Sequence, residues 1–312
     1  MSENECNERG RQDNQSNQIT KTDELDDHKS CNQCKSSDYS IVIDGQYGKV
    51  VRCKPCNLMY RKTMLGHYPI HFYGGNQHHQ QQVEEKQILQ LEDYAKSLPI
   101  AEQYLQKNEN SIKPTLLEIG SYYGTFLSLA RQRGYEVTGV EPGTDLVKQC
   151  KVRNPDMNIH SGFLRDAKFA DNSFDVVCLF HVIEHMNYPL EELEEIQRIL
   201  KPGGVAVVET PRYDTVWFRV LKERERSVIP EHFFFFTRNS LSNIAKKAGL
   251  SVLRLDNVGR TLTLDRLLGN ICKVIGSNGI AKLINRSAEL LHLDQVKFHV
   301  NTGDMMRIYL TK

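Results

Sequence analysis

The sequence predicts an α/β architecture built on a parallel sheet with crossover helices, preceded by a small cysteine-bearing unit. Three observations predict it. Short apolar runs alternate with helix-period segments from about Lys113 onward. A glycine-bearing turn, Glu118-Ile-Gly-Ser-Tyr-Tyr-Gly124, falls between one such run and the next helical pattern. Two CxxC pairs, Cys31/Cys34 and Cys53/Cys56, lie well upstream of it.

Residues 1–30 are nearly free of large apolar side chains and rich in Asn, Gln, Asp, Glu and Ser. Burial cannot offset their ordering entropy, so a disordered tail is expected. Residues 31–66 read as a compact unit in which a hairpin around Gly45 and Gly48 brings the two CxxC pairs together. Four thiolates at about 2.3 Å from a tetrahedral Zn²⁺ suit this spacing, with redox motifs or free thiols as the alternative. A unit so small has little core of its own, and the metal would supply most of its folding energy. Residues 67–112 are expected to be a helical linker. His71, His78 and His79 read as surface residues, while Ile88, Leu91, Tyr94, Ala95 and Leu98 recur at helix spacing up to a break or restart at Pro99.

The main domain is expected over 113–312. Strands are predicted at Leu116–Ile119, Glu136–Val140, Asn158–His160, Phe174–Phe180, Val205–Glu209, Leu250–Leu255 and Asp304–Leu310. Helices are predicted at Thr125–Gln132, Asp145–Lys151, Pro189–Leu200 and Ser240–Lys247, with Lys201-Pro-Gly-Gly204 as a turn after the third. A mostly helical insertion is expected over about 257–298, either a lid on an acceptor pocket or a dimer contact. Trp217, Phe218 and the run Phe233–Phe236 read as substrate-stacking or core residues, and Lys222–Arg226 as a solvated helix.

Forty basic against 39 acidic side chains leave a net charge of +1, which argues against a phosphate-backbone partner. No apolar leader and no run of about 20 apolar residues is present. A cytoplasmic protein without a membrane span is therefore expected, and in that reducing compartment the paired cysteines favour metal over disulfides.

The turn at 118–124 allows close approach of backbone to a ligand near a helix N-terminus. Glu141 ends the next strand about twenty residues on, where a carboxylate accepts from ribose hydroxyls. Together they indicate an adenosine-containing cofactor. The dinucleotide fingerprint GxGxxG is absent, and Glu118 would repel a pyrophosphate but favour an ammonium group.

The segments LEIGSYYGTFL, VTGVEP, DNSFDVVCLFHVIEHMNYPLEELEEIQRILKPGGVAVVETP and PEHFFFFTRNSLSNIAKKAGL resemble class I S-adenosylmethionine (SAM)-dependent methyltransferases of the small-molecule group. The resemblance covers roughly 113–255 and implies a Rossmann-like seven-stranded sheet whose last hairpin is antiparallel. It also implies SAM as cofactor, with Glu118, Gly120, Ser121 and Gly124 at the methionine end and Glu141 at the ribose. Phe163 and Leu164 would flank the adenine, and Phe180 and His181 would face cofactor and substrate. Tyr122 stands where the family commonly has glycine, so its side chain is expected to point out of the loop. The ribbon together with Glu231-His232 before an aromatic run is similar to sugar C-methyltransferases acting on nucleotide-linked keto-sugars. There His232 would be the base and Glu231 its orienting carboxylate, although Ile229 stands in place of the family's tyrosine. His181, Glu184 and His185 mimic zinc-ligand spacing. The reading favours His181 at the active site and the other two as structural hydrogen-bonding residues. A small-molecule acceptor is expected; a zinc-ribbon RNA methyltransferase and a non-catalytic SAM-fold binding protein are the alternatives.

Overall fold

The computed structural model describes residues 26–27, 30–64, 77–105, 113–264 and 296–312. The remainder of the expected tail, the segment His67–Asn76 and most of the expected insertion lie outside the described residues. In chain order the elements are β1 (Asp26–Asp27), β2 (Tyr39–Gly45), β3 (Gly48–Cys53), β4 (Met59–Arg61), β5 (Thr63–Met64), α1 (Gln77–Ala95) and α2 (Ser97–Tyr104). Next come β6 (Thr115–Ile119), α3 (Thr125–Gln132), β7 (Glu136–Glu141), α4 (Thr144–Arg153), β8 (Asn158–Ser161), β9 (Phe174–Phe180), α5 (Pro189–Ile199) and β10 (Leu200–Pro211). The chain finishes with α6 (Val216–Leu221), β11 (Phe234–Phe235), α7 (Arg238–Lys247), β12 (Ser251–Asn257), β13 (Arg260–Thr263), β14 (Lys297–Val300) and β15 (Met305–Thr311).

The main sheet has seven strands in the order β12-β15-β10-β9-β6-β7-β8. Only β15 runs against its neighbours, pairing antiparallel with both β10 and β12. This is the Rossmann-like arrangement the sequence predicts. Alternate residues of each strand enter opposite cores, as a pleat of period two requires. Leu116, Val176, Cys178, Val205 and Val207 pack with α2, α3 and α4. Leu117, Val177, Leu179, Ala206 and Val208 pack with α5 and α7. Because the chain runs outward from β6 to β8 and then returns on the other side at β9, a crevice opens beyond the C-terminal ends of β6 and β9.

Several expectations are corrected. The helices at 77–104 form part of a layer rather than a linker, since Tyr94, Leu98 and Ala101 are buried in the sheet's core. Ile88, placed on the apolar face by spacing, is 54% exposed. Lys201–Gly204 does not end in a turn, because β10 runs on through it with a register shift between Leu200 and Val205. Residues 260–263 and 297–300 pair as a two-stranded antiparallel ladder, so the ends of the expected helical insertion are extended. Asp26–Asp27, assigned to the tail, pair with Thr63–Met64.

The cysteine unit is not free-standing. Its strands form a four-stranded sheet ordered β11-β4-β3-β2, so the phenylalanine run contributes a strand from more than 170 residues downstream. Phe233–Phe236 and Phe218 are buried core residues, whereas Trp217 is exposed. Of the charge run, Lys222–Arg224 form a short, exposed 3₁₀ helix after α6, while Glu225 is buried.

Candidate functional site

Four ends of parallel strands supply the crevice. At the end of β6, Glu118 is buried and its Oε2 has no hydrogen-bond partner. Burial, and then the charge of Glu141, pushes the Glu118 carboxyl well above the usual carboxylate range. Gly120 follows with φ +74°, and a Cβ there would lie 2.6 Å from Val182 Cγ2. Ser121 Oγ and Tyr122 Oη are likewise buried without a partner. Tyr122 adopts φ +53°, an uncommon conformation for a side-chain-bearing residue. Its ring does not point out of the loop: it is half-buried, edge-on to Tyr123 at 4.9 Å.

Glu141 at the end of β7 closes this loop from the next strand. Its Oε2 accepts from the Tyr122 amide at 2.9 Å and its Oε1 from the Gly143 amide at 2.8 Å. Burial pushes its carboxyl up to about 7, against the pull of those two amides. Gly124, with φ +71°, caps α3 where a Cβ would meet Cys150 Sγ at 2.8 Å. After β8, the Gly162 amide donates to the Glu141 carbonyl at 3.0 Å, holding the next loop against the same strand end. Phe163 is 44% exposed there, but Leu164 is buried in the core and does not stand open to a ligand beside it.

On the other side of the crevice, Phe180 stacks on Tyr94 at 4.5 Å and meets the edge of Phe126 at 4.9 Å. His181 turns the chain with φ +58° and sits between two buried carboxylates. Its Nδ1 lies 3.6 Å from Glu184 and its Nε2 3.6 Å from Glu209. Glu209 itself pairs with buried Arg307 at 2.6 Å. These two were missed from sequence, yet each is one charge in an apolar strand, VAVVETP and MMRIYL, which is the signature of a buried pair.

His232 is buried beside His185, with ring centroids 4.6 Å apart. Its Nδ1 lies 3.1 Å from Tyr213 Oη, so the ring is oriented by a phenol and not by Glu231 as expected. Glu231 contributes its backbone carbonyl, 2.8 Å from His185 Nδ1. The phenol was legible in no motif. Arg61 of β4 reaches the same segment: its guanidinium donates to the carbonyls of Ile229 at 2.8 Å and His232 at 3.2 Å, and to that of Tyr47.

Cys31, Cys34, Cys53 and Cys56 bring one sulfur each within 4.8 Å of the others. Cys31–Cys56 and Cys34–Cys53 sulfurs lie 3.5 and 3.4 Å apart, near the edge of about 3.8 Å that a tetrahedron of 2.3 Å bonds has. Lys35 and Asn57 each follow the second cysteine of a pair, and both have φ +61°. Two equivalent knuckles thus aim the four sulfurs inward, an arrangement able to bind zinc.

A family model described as a methyltransferase domain matches residues 78–255, more than half of the chain. The chain belongs to this family. The methyltransferase domain is 29% identical over 104 residues to the demethylmenaquinone methyltransferase of Chlorobaculum parvum, covering 33% of this chain and 43% of that protein. It is 30% identical over 137 residues to a Mycolicibacterium smegmatis protein named "Probable S-adenosylmethionine-dependent methyltransferase", covering 44% of this chain and 52% of that protein. The match thus spans about half the length, or less, of these curated relatives. Among solved structures, a chain of the "Complex between the Haloferax volcanii Trm112 methyltransferase activator and the putative methyltransferase" superposes with a TM-score of 0.54 at 15% identity, covering 78% of this chain and 97% of that one. That likeness shows the fold alone: the methyltransferase domain has the SAM-methyltransferase sheet. Among the described residues no helix is long and apolar enough to cross a membrane.

Proposed function

We propose that the protein is an S-adenosylmethionine-dependent methyltransferase acting on a small-molecule acceptor. The observation that carries this reading is the carboxylate of Glu141, hydrogen-bonded to the amide of the glycine-bearing loop, beside the unpartnered buried atoms of Glu118 and Ser121. Buried polar atoms without partners are costly, and a ligand rich in donors would satisfy them. An ammonium suits Glu118 and Ser121, and ribose hydroxyls suit Glu141. Gly120 and Gly124 leave the two ends of the loop without side chains, and Phe163 flanks the adenine.

The cofactor, when bound, supplies an activated methyl carbon, which leaves sulfur with the C–S electron pair remaining there. The chain's task is to align the acceptor and to take its proton. Phe180 packs the crevice wall, and His181 and His232 are the groups assigned to the proton. The names of the curated relatives, demethylmenaquinone methyltransferase and ubiquinone biosynthesis O-methyltransferase, favour a small-molecule acceptor. The cysteine unit, read as a structural zinc ribbon, and His232 before the aromatic run favour a nucleotide-linked sugar among them.

Product mass spectrometry with labelled SAM against nucleotide sugars, lipid-linked metabolites and RNA tests the reading. Label in a small molecule is expected, and label only in RNA would replace this acceptor class. His232→Ala should lower turnover by about 100-fold or more with SAM affinity unchanged, as loss of a proton-handling group does. Unchanged turnover removes His232 from the chemistry. Because burial raises the Glu118 carboxyl and an ammonium would favour its ionised form, SAM binding should release protons at any pH where the ligand-free carboxyl still holds one. Calorimetry in buffers of different ionisation enthalpy reads that release, which should shrink in Glu118→Gln.

A further inference from the structure

Beyond the four cysteines, one other cluster of metal-ligating side chains occurs among the described residues: Glu184, His185 and His232, each with a donor atom within 4.8 Å of the other two. The sequence reading gave Glu184 and His185 a structural role. Their surroundings support more. The 3₁₀ turn Ile183–His185 puts both side chains against the His232 segment, and the Phe233 amide donates to the Glu184 carbonyl at 2.8 Å to fix that seam.

Each of the three side chains is oriented by an outer partner. Glu184 Oε2 accepts from Thr210 Oγ1 at 2.8 Å. His185 Nδ1 lies 2.8 Å from the carbonyl of Glu231, and a carbonyl only accepts, so that nitrogen carries the proton. Tyr213 Oη lies 2.9 Å from the carbonyl of Ser227, which takes the phenol proton. His232 Nδ1, 3.1 Å from the same oxygen, is then the donor to it. These tautomers are assigned from the partners, and they leave Nε2 as the basic nitrogen of both rings. Two imidazoles whose second nitrogen donates to an oxygen, with a hydrogen-bonded carboxylate beside them, form a ligand set with its outer shell complete.

We propose that Glu184, His185 and His232 bind a borderline divalent cation such as Zn²⁺ or Co²⁺ on the acceptor side of the crevice. Glu184 and His232 are buried and His185 is half-exposed, so a cation held there would be reached by solvent and by an acceptor from the His185 side. Three protein ligands with open positions are the pattern of a site that holds substrate. The inference rests on the acceptor reading given above and deepens it. An acceptor oxygen held by the cation becomes more acidic, and His181, 3.6 Å from both Glu184 and Glu209, is then the group that takes its proton. His232 acts through the cation instead of as a base. Loss of turnover in His232→Ala fits either role, and metal binding separates them.

The experiment is cobalt titration of the full-length metal-exchanged protein, with metal content by mass spectrometry and absorption spectra. The four-cysteine site is recognised by sulfur-to-cobalt charge transfer, so the second equivalent is read separately. Two equivalents are expected in the unaltered chain. Glu184→Gln and His185→Gln should each retain only the sulfur-ligated one. Tyr213→Phe, which keeps all three ligands, should weaken the second site by about 10- to 100-fold and leave the sulfur bands unchanged. A single, sulfur-ligated equivalent in the unaltered chain overturns the inference, as does a second equivalent that survives both ligand variants. SAM calorimetry on the same samples distinguishes the failures. One equivalent with SAM bound sinks only the cation; two equivalents without SAM binding sink the methyltransferase reading and keep the cation.

Discussion

Replacing Glu141 by alanine is expected to weaken SAM binding by about 100- to 10,000-fold. Two charge-assisted hydrogen bonds to ribose hydroxyls are each worth roughly 1.5–3 kcal/mol, and each 1.4 kcal/mol is a factor of ten. The substitution also strands the amides of Tyr122 and Gly143, which Glu141 holds in the present structure. The same residue sets a pH dependence. Burial raises its carboxyl from 4.5 to about 7, so the folded protein binds a proton there that the unfolded chain has already lost. Its contribution to stability is therefore full below about pH 4.5 and lost as pH rises through 7, roughly 3 kcal/mol in all. Ligand hydroxyls prefer the ionised carboxylate, so SAM affinity should climb between about pH 6 and 8. Calorimetry across that range checks both statements. A loss below tenfold in Glu141→Ala, or an affinity flat with pH, rejects this role.

Removing one thiolate, as in Cys34→Ser, should abolish turnover while changing SAM affinity by less than about threefold. In the proposed zinc ribbon the metal would supply much of the folding energy, so the cysteine unit should loosen. The loss passes directly to the acceptor side. β11 pairs with β4, placing His232 two residues from a strand of the cysteine unit, and Arg61 holds the carbonyls of Ile229 and His232. The Glu118–Glu141 side is held by the ladder of β6 with β7 and β9, although Leu117, Ile119 and Val140 share a core cluster with the cysteine unit. Hydrogen exchange should show loss of protection at 39–61 and 229–236 with β6 and β7 unchanged. Equal loss of SAM binding and turnover would contradict this division.

Much of this was legible in the sequence, for local reasons. Phe174–Phe180 and Thr125–Gln132 fall where periodicity places them, because a strand buried on both faces must be continuously apolar and a short amphipathic helix must show its stripe. Glu141 reaches the turn between Gly120 and Gly124 through the Tyr122 amide, since one turn and one strand end suffice to bring them together. What escaped depends on distant pairing. Four successive phenylalanines carry no alternation, so nothing local reveals that two of them pair with Met59 and Tyr60. The partner of His232 looked like its neighbour in sequence, Glu231, but the chain turns there, with the His232 amide donating to the Ile229 carbonyl, and Tyr213, nineteen residues away in sequence, reaches the ring. Lys201–Gly204 carries turn residues and forms a bulge within β10, which pairs with β9 at Leu200 and again from Val205 onward.

The ladder of β13 and β14 sets Thr263 opposite Lys297, and Asp93 of α1 fastens it by accepting from the Thr261 amide and hydroxyl at 2.8 Å each. The chain therefore departs and returns through a single doorway. Closing a long excursion at a fixed doorway costs little more than closing a short one, about 0.6 kcal/mol per doubling of length. The number of residues between Thr263 and Lys297 is therefore a minor term in closing the ladder. Asp93, which fastens the ladder, adjoins Tyr94, whose ring stacks on Phe180, so the ladder's anchor borders the acceptor side of the crevice.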